Sequence, residues 1–346
     1  MEIKDRIVPG YERVATGIEE SAGYHGIVVI HSTALGPSVG GTRFWSYKNE
    51  DEAITDALRL ARGMTYKNAL ADLPCGGGKS IILRDSNVKD REQLFRAHGR
   101  MVNTFAGKYI TAEDVGTSPV DMEYILKETS YVAGLQNRSG DPSPHTARGV
   151  FRAMQAAAKH RWGSDDLSGK TVAIQGSGHV GYYLAGELTE VGAKLVVTDV
   201  DPEKVKRVVT EYHATSVAPE DIYSVQAEIF APCALGGILN DQTIPKLRVE
   251  VVNGGANNQL LEPRHGDLLQ QRGILYAPDY AVNAGGVIHG CCIEMLGWDV
   301  PRTVEKIDAI YGTLLKIFAT AEREKVSTYL AADRLAEARM AHGIAN

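Results

Sequence analysis

The chain has 346 residues, a formal net charge of −6, 44% hydrophobic residues and 23% charged residues. This length predicts two domains, and the composition excludes intrinsic disorder over most of the chain. The acidic balance argues against nucleic acid or membrane as a partner, and no apolar run approaches the roughly 20 residues of a membrane span. Four cysteines are too few for a disulfide framework, and the first residues lack a signal-peptide pattern. We therefore expect a cytoplasmic protein with a small-molecule substrate.

Short β-branched runs alternate with helical patterns along the whole chain, which predicts an α/β fold with largely parallel sheets. Asn49 and Glu52 have the spacing of a capping box, and Ser118-Pro119 has the residue order of a helix start. In the first part of the chain, strands are predicted over 26–31, 80–83 and 109–111, and helices from residue 50, over 91–105 and from residue 119.

The stretch 136–144, QNRSGDPSP, is polar and rich in Gly, Pro and Ser, which is typical of a linker. A second αβ region follows over 170–280, and the pattern is helical from Pro301. We predict a substrate-binding and catalytic domain over 1–138, a dinucleotide-binding domain over 139–325, and a C-terminal segment, 326–346, that packs back on the first domain.

A glycine-rich turn in the second region has the complete context of a dinucleotide-binding fingerprint. The strand 171–175 leads into Gly176-Ser177-Gly178-His179-Val180-Gly181, a helix follows, and the strand 194–198 ends at Asp199. The glycines permit a tight turn and backbone approach to a pyrophosphate, and the helix N-terminus favours phosphate. Asp199 would bind the ribose hydroxyls and repel a 2′-phosphate, so NAD is predicted rather than NADP. The alternative is a glycine turn that binds nothing.

A second glycine-rich stretch, Gly76-Gly77-Gly78-Lys79-Ser80, is not a phosphate-binding P-loop, because Leu73 stands where that motif needs a glycine. Lys67, the stretch 36–42 and the pair Glu113-Asp114 belong to the same predicted domain. We expect glycine-lined walls on loops, with Lys79 projecting toward a small ligand. Strand alternation allows only one of the two acids to reach this site. For any one of these charged residues, the alternative is a solvated surface position.

Two lysines and a carboxylate beside a nicotinamide suit the oxidation of an α-amino acid. One lysine can pair with the substrate carboxylate. Removal of hydride from Cα leaves an iminium ion, and the other lysine can activate the attacking water if burial and a second cation lower its pKa. The carboxylate can move protons to and from the departing nitrogen. No metal is expected, because the stretch 289–292 lacks the second ligand pair of a zinc site.

Nearly the whole chain resembles the bacterial leucine, phenylalanine and valine dehydrogenases, which are relatives of glutamate dehydrogenase, and the leucine type is most similar. The similar stretches are LGPSVGGTRFW, DALRLARGMTYKNA, GGGKSIIL, KYITAEDVGT, DIYSVQAEIFAPCALGGILN, GGANNQL and ILYAPDYAVNAGGVI. The resemblance implies NAD-dependent, reversible oxidative deamination of a hydrophobic, branched-chain L-amino acid to its 2-oxo acid and ammonia. It also implies a homo-oligomer, dimer or octamer, with the substrate domain and a Rossmann domain separated by a cleft.

The resemblance implies roles at matching positions. Lys79 would activate water with Asp114 as its partner carboxylate, and Lys67 would bind the substrate carboxylate. The substrate site would also contain Val39, Gly40, Gly41, Ala112, Asn258, Val287 and Gly290. The cofactor would contact Gly176, Ser177, Gly178, His179, Val180, Gly181, Asp199, Val200, Thr146, Cys233, Ala234 and Asn257.

Gly290 departs from the pattern of the leucine type, which usually reads NAGGVINVADEL where this chain reads NAGGVIHGCCIEML. A glycine in place of an apolar pocket residue predicts a larger pocket that admits longer or aromatic side chains, unless Cys291, Met295 or a shifted helix fills the space. Three alternatives stay open. They are a phenylalanine- or tryptophan-type enzyme of the same family, a 2-hydroxy acid dehydrogenase, and a non-catalytic NAD-responsive protein, which would not need Lys79 and Asp114.

Overall fold

A computed structural model of the protein describes residues 1–84, 90–135 and 140–343. The chain forms two compact units: the first contains Met1–Gly140, Ile293–Gly297 and Ala336–Asn346, and the second contains Asp141–Cys292 and Trp298–Leu335. The predicted boundary between residues 138 and 139 lies outside the described residues. Within the described ranges, no helix has both the length and the apolar character needed to cross a membrane.

The chain returns to the first unit at Ala336, ten residues later than the predicted 326. The change of unit falls inside the last helix, Thr328–His342. In the first half of this helix, Asp333 accepts a 2.6 Å hydrogen bond from Tyr280 of the second unit. In its second half, Arg339 pairs with Asp72 of the first unit at 3.0 Å. Each half of the helix is therefore held by a different unit.

The first unit contains a mixed sheet with strand order β1-β2-β3-β5-β4-β6. Strands β1, β2, β3 and β5 pair antiparallel, whereas β4 is parallel to both β5 and β6. The expectation of largely parallel sheets is therefore wrong for this unit, because the short β1–β2 and β2–β3 connections cannot make parallel crossovers. The elements are β1 (Glu2–Arg6), β2 (Arg13–Glu19), β3 (Tyr24–Ser32), β4 (Ser38–Trp45), α1 (Glu50–Leu70), β5 (Gly76–Leu83), α2 (Arg91–Asn103), β6 (Tyr109–Glu113) and α3 (Pro119–Leu126).

Helices α1 and α2 contribute to two separate apolar cores of the mixed sheet. Alanines and Ile54 of α1 pack with Ile27, Val29 and Ile81, whereas Leu94, Phe95 and Met101 of α2 pack in the other core with Val28 and Ile82. The start of α1 follows the predicted capping box only in part. Asn49 accepts from the Glu52 amide at 2.8 Å, but the Glu52 carboxylate accepts from Lys48 N rather than from the cap residue.

The second unit contains the predicted parallel sheet, with strand order β12-β11-β10-β7-β8-β9. The chain leaves β7 toward β8 and β9 and then crosses to β10 on the other side. The carboxyl ends of β7 and β10 therefore lie at a switch point, where such sheets bind ligands. The elements that follow α3 along the chain are α4 (Ser143–Trp162), β7 (Thr171–Gln175), α5 (His179–Glu190), β8 (Lys194–Thr198), α6 (Pro202–Tyr212), β9 (Thr215–Ser216), β10 (Ile229–Pro232), β11 (Val251–Val252), α7 (Arg264–Gln271), β12 (Leu275–Tyr276), α8 (Asp279–Val282), α9 (Gly285–Gly290), a π-helical turn (Cys291–Met295), α10 (Val300–Asp308), α11 (Ile310–Glu324) and α12 (Thr328–His342). All belong to the second unit except the end of the π-helical turn, from Ile293, and the end of α12, from Ala336.

Candidate active site

Lys79 and Asp114 form a buried ion pair in the first unit. Lys79 lies in the middle of β5, and Asp114 follows the last residue of β6. Lys79 Nζ donates to Asp114 Oδ2 at 2.6 Å, and only 5% of Lys79 is exposed. The neighbouring acid, Glu113, is exposed. The structure therefore brings together the two residues predicted to be catalytic and selects Asp114 from the acidic pair.

The predicted substrate residues of this unit follow the alternation of the strands. Val39 of β4 pairs with Gly77, two residues before Lys79 on β5, and Gly41 pairs with Ala112 of β6. Paired positions share a sheet face, and every second residue of a strand returns to that face. Val39, Gly41 and Ala112 therefore lie on the face that carries Lys79.

Helix α1 covers this face, because Ala57 and Ala61 pack with Ile81, two residues after Lys79. Lys67 lies in the last turn of α1 and is half-buried. Gly40 alternates to the opposite face, where its carbonyl accepts a 2.7 Å hydrogen bond from the Tyr109 hydroxyl. Of the two glycines predicted to line the substrate site, only Gly41 shares the face of Lys79.

The glycines before Lys79 belong to a strand, not to the predicted loop. Strand β5 begins at Gly76 and therefore includes all three glycines. Because glycine has no side chain, neighbouring backbone can approach the strand closely. A Cβ on Gly77 would lie 2.0 Å from Thr65 N of α1, and one on Gly40 would lie 1.8 Å from the Gly78 carbonyl oxygen. These glycines make room for the packing of α1 and β4 on β5. That the same stretches also line a ligand site stays a prediction.

Burial and the paired charges set the protonation of the Lys79–Asp114 pair. Burial disfavours the ammonium and lowers the pKa of Lys79, although Asp114 acts in the opposite direction. Burial also opposes ionisation of Asp114, but the attraction of Lys79 and Arg43 outweighs it and lowers the pKa of this carboxyl. The pair therefore combines an ionised carboxylate with an amine that loses its proton more readily than a solvated lysine.

Arg43, Asp56 and Tyr47 extend this pair and were missed from the sequence. Arg43 Nε donates to Asp114 Oδ2 at 3.0 Å, and its Nη1 donates to Asp56 Oδ2 at 2.9 Å. The Tyr47 hydroxyl donates to the same Asp56 oxygen at 2.7 Å. A signal for Arg43 existed in its spacing, because it lies two residues after Gly41 and so falls on the same face of β4.

The dinucleotide fingerprint of the second unit has the predicted strand, turn and helix. Gly176 has φ +99°, which favours glycine, and a Cβ on Gly181 would lie 2.0 Å from the Gly176 carbonyl oxygen. A Cβ on Gly178, by contrast, would meet no heavy atom of the described part of the chain within 4 Å, apart from those of its chain neighbours. Packing thus explains the first and third glycines, whereas Gly178 leaves open space at the N-terminus of α5. This space fits the approach of a pyrophosphate to the backbone.

Asp199 lies at the carboxyl end of β8 and is tied to the fingerprint turn. Its Oδ2 accepts from Ser177 N at 2.7 Å, and its Oδ1 accepts from Asp201 N at 2.9 Å. The adjacent Val200 is 89% exposed, and His179 is exposed on α5. The carboxylate is therefore held beside the turn, next to an exposed apolar side chain.

The other predicted cofactor residues follow neighbouring strand ends. Cys233 and Ala234 come directly after β10, and Cys233 N donates to Gln175 O at 2.7 Å. Asn257 accepts from Asn283 Nδ2 at 2.8 Å, and the exposed Asn258 has φ +53°. These four residues lie on the loops after β10 and β11, at the same edge of the sheet as the fingerprint turn.

Helix α9 carries Val287 and Gly290, one helical turn apart. A Cβ on Gly290 would have no heavy atom of the described residues within 4 Å, apart from those of its chain neighbours and its own helix backbone. The ring of His289 stacks on that of His145, which lies in the first turn of α4 beside Thr146, with 3.6 Å between the ring centroids. No atom of Met295 lies within 4 Å of the position that a Cβ on Gly290 would take.

Comparison with known proteins identifies the family. Residues 13–131 match the Glu/Leu/Phe/Val dehydrogenase dimerisation domain, and residues 139–202 and 197–343 match the Glutamate/Leucine/Phenylalanine/Valine dehydrogenase domain. The chain belongs to the Glu/Leu/Phe/Val dehydrogenase family. It is accordingly an amino acid dehydrogenase with the two-domain α/β fold of that family, and its cofactor is a nicotinamide dinucleotide.

The chain is similar to members of the family that are named for different substrates. Leucine dehydrogenase of Geobacillus stearothermophilus is 54% identical over 95% of this chain and 90% of that protein. Phenylalanine dehydrogenase of Caldalkalibacillus thermarum is 45% identical over 95% of this chain and 91% of that protein. The crystal structure of L-tryptophan dehydrogenase from Nostoc punctiforme matches with a TM-score of 0.86 and 44% identity, covering 96% of each chain.

Proposed function

We propose that this dehydrogenase catalyses reversible, NAD-dependent oxidative deamination of a hydrophobic, branched-chain L-amino acid to its 2-oxo acid and ammonia. The observation that carries the proposal is the buried contact of 2.6 Å between Lys79 Nζ and Asp114 Oδ2. Burial lowers the pKa of Lys79, which favours its action as a base, and the contact with Asp114 holds the amine in place. Surface lysines rarely meet that condition, because solvent keeps their pKa near its ordinary value.

In the proposed mechanism, the side chains of the first unit handle the amino acid. Lys67 pairs with the substrate carboxylate, and Asp114 exchanges protons with the substrate nitrogen. Neutral Lys79 takes a proton from the water that attacks the iminium carbon and passes it to the nitrogen. As ammonia then leaves, the hydroxyl group gives up its own proton to Lys79 and becomes the carbonyl of the 2-oxo acid. Val39 and Ala112 contribute apolar surface on the same sheet face as Lys79 and help to select the substrate side chain. The family resemblance assigns a role in side-chain selection to Val287 and Gly290 of α9 as well.

The fingerprint turn and the loops of the second unit hold the cofactor, which accepts hydride when bound. Gly178 gives the pyrophosphate access to the N–H groups that begin α5. Asp199 accepts from the ribose hydroxyls, and Val200 offers an exposed apolar contact. Thr146 and Asn257 contact the nicotinamide end. NAD is preferred to NADP because a second negative charge beside Asp199 would be repelled.

A preference for aromatic side chains is the second candidate within the family. The open position beyond Gly290 favours it, as does the similarity to L-tryptophan dehydrogenase. A 2-hydroxy acid dehydrogenase is a third candidate. It is disfavoured, because a water-activating lysine with a paired carboxylate serves deamination and not the transfer of a proton to a ketone oxygen.

We also propose a homo-oligomer of at least two subunits in the cytoplasm. The match of residues 13–131 to a dimerisation domain supports the first part. All four cysteines are free thiols, which is typical of a reducing compartment.

Initial rates of NAD reduction over a panel of L-amino acids test the activity directly. Leucine, valine and isoleucine should support turnover, and glutamate should not. In the reverse direction, oxidation of NADH with a branched-chain 2-oxo acid should require ammonium. NADH oxidation that proceeds at the full rate without ammonium would contradict the proposal and favour the 2-hydroxy acid chemistry.

A further inference from the structure

Arg43 lies between two carboxylates at the rear of the Lys79–Asp114 pair. It reaches Asp114 Oδ2 through Nε and Asp56 Oδ2 through Nη1, at 3.0 and 2.9 Å. The side chains of Arg43 and Asp56 are only 22% and 16% exposed. Lys79, Asp114, Arg43 and Asp56 therefore form a chain of alternating charges that runs from the buried strand β5 to helix α1.

Arg43 and Lys79 bind the same oxygen of Asp114. Both contacts use Oδ2, so Oδ1 is the oxygen that can accept from a substrate amine. The backbone of Asp114 is fixed separately, because its N–H donates to Thr117 Oγ1 at 2.8 Å, and that hydroxyl lies 3.2 Å from the Thr42 carbonyl oxygen. Loss of Arg43 should therefore change the charge of the site more than the course of the chain.

Lys79 must lose its proton before it can act as a base. This loss removes one of the positive charges that balance Asp114. If Arg43 were absent, Asp114 would be a largely buried carboxylate without a paired cation whenever Lys79 is neutral. An unpaired charge is costly in a protein interior. Arg43 stays protonated under all relevant conditions. It therefore balances Asp114 at the moment when Lys79 cannot.

We infer, on the basis of the function proposed above, that Arg43 is a positioning residue that keeps Asp114 ionised and correctly oriented while Lys79 is neutral. Arg43 contacts neither substrate nor cofactor in this role and acts only through Asp114. Asp56 and Tyr47 hold the guanidinium in place. The inference assigns a function to a residue of β4 outside the set predicted to be catalytic.

The sign of the effect follows from the charges around Lys79. Burial lowers the pKa of Lys79, Asp114 and Asp56 raise it, and Arg43 lowers it. The other groups at the site are Tyr47 beside Asp56, Arg59, which is 3.4 Å from Asp56 Oδ1, and Tyr109, which is buried near Asp114. Lys67 lies on α1, which packs on β5. Removal of Arg43 should therefore raise the pKa of Lys79, and removal of the Asp56 charge should lower it.

The pH profile of kcat/KM with the best amino acid from the panel tests this prediction. In Arg43→Gln, the acidic limb should move to higher pH by about one unit, the size expected for one nearby charge. Activity on that limb should then fall about tenfold, with the KM for NAD unchanged. Arg43→Lys should restore part of the shift, because it keeps the charge but cannot hold both carboxylates. Asp56→Asn should move the limb in the opposite direction.

Arg100→Gln is the matched control, because Arg100 also bridges two carboxylates, Glu19 and Glu128, in the same unit. It should leave the limb in place. The pKa of Lys79, followed by NMR of its 13C-labelled ε-methylene across pH and assigned by the loss of this signal in Lys79→Ala, gives the same comparison without turnover. It separates failure of this inference from failure of the proposed function, which would leave the wild type inactive on the whole panel.

An acidic limb and a Lys79 pKa that stay within about 0.2 pH units of the wild type in Arg43→Gln would overturn the inference. A shift of the same sign in Arg43→Gln and Asp56→Asn would also overturn it, since that result indicates only a loosened fold. Opposite shifts, with partial restoration in Arg43→Lys, would support it.

Discussion

The side chain that Gly41 lacks would occupy the space next to Asp114. A Cβ on Gly41 would lie 2.8 Å from Asp114 Cβ and 2.6 Å from the Glu113 carbonyl oxygen. Strands β4 and β6 can therefore approach closely enough for Asp114 to reach Lys79 only because position 41 is a glycine. The geometry of the proposed catalytic pair depends on a residue that takes no part in the chemistry.

Gly41→Ala should push Asp114 away from Lys79. A displacement of about 1 Å at a reacting group can cost a hundredfold in rate, so kcat should fall by about ten- to a hundredfold. Steady-state kinetics measures the fall, and NAD binding should not change. Gly312→Ala is the control, because among the residues that the structure describes, no heavy atom outside its own helix backbone and chain neighbours lies within 4 Å of its Cβ position. Wild-type kcat in Gly41→Ala would contradict the dependence.

Lys79→Ala should lower kcat by about 10²–10⁴, the usual contribution of a general base. The dissociation constant of NAD, measured by fluorescence titration, should barely change, since the proposed cofactor residues lie in the second unit. Lys127→Ala removes an exposed lysine that pairs with Glu92, and it should have no effect on turnover. Near wild-type turnover in Lys79→Ala would show that Lys79 is not the base.

Asp199→Asn should weaken the preference for NAD. The amide keeps the shape and an acceptor for Ser177 N but removes the charge that repels a 2′-phosphate. The ratio of kcat/KM for NADP to that for NAD should rise about tenfold, and Asp201→Asn, two residues further along the chain, should have a smaller effect. Equal kcat/KM for both cofactors in the wild type would contradict the role of Asp199 and would indicate that Lys204 or Arg207 reaches the phosphate.

Gly290→Val should narrow the substrate range toward valine and leucine. The open position beyond Gly290 is expected to admit methionine or phenylalanine, and each methylene of fit is worth about 1–3 kcal/mol. The ratio of kcat/KM for phenylalanine to that for leucine, compared between wild type, Gly290→Val and Gly312→Ala, measures the effect. If the wild type already rejects phenylalanine by more than about a thousandfold, roughly 4 kcal/mol, the pocket is not enlarged.

His98 should make stability depend on pH. It is fully buried between Tyr24, which is 2.9 Å from Nδ1, and Ser80 and Thr42, each 3.1 Å from Nε2. Burial lowers its pKa to about 3. Because the folded pKa lies below the unfolded value near 6.5, the unfolded chain takes up a proton that the folded chain refuses. Stability from this site is complete above about pH 6.5 and is lost as pH falls toward 3.

Chemical denaturation at pH 7 and pH 5 tests this dependence. Between pH 6.5 and pH 5, the wild type should lose about 2 kcal/mol that His98→Gln does not lose, since each pH unit corresponds to 1.36 kcal/mol per proton. The exposed His342→Gln should keep the wild-type loss. The comparison uses the change with pH, so a lower overall stability of His98→Gln does not affect it. An identical loss in His98→Gln would rule out the role.

The sequence by itself determined what depends on neighbours along the chain. The fingerprint turn could be predicted because strand, glycine spacing, helix and Asp199 all lie within 29 residues, and each has a local physical requirement. Lys79, Asp114 and the start of α3 could also be predicted from the sequence. A charged residue within an apolar strand or directly after it is a local signal, and so is a Ser-Pro pair. The family resemblance added the roles that local chemistry had left open.

Only the tertiary structure decided which charged groups, distant from one another along the chain, interact electrostatically. In the sequence, Arg43 and Asp56 resemble ordinary charged surface residues. Their link to Asp114 arises from the register of β4 with β6 and the packing of α1. The mixed sheet and the roles of Gly41 and Gly77 were missed for the same reason. A glycine indicates that another group approaches the backbone closely at that position. The order of the strands in the sheet decides whether that group is a ligand, a helix or a catalytic carboxylate.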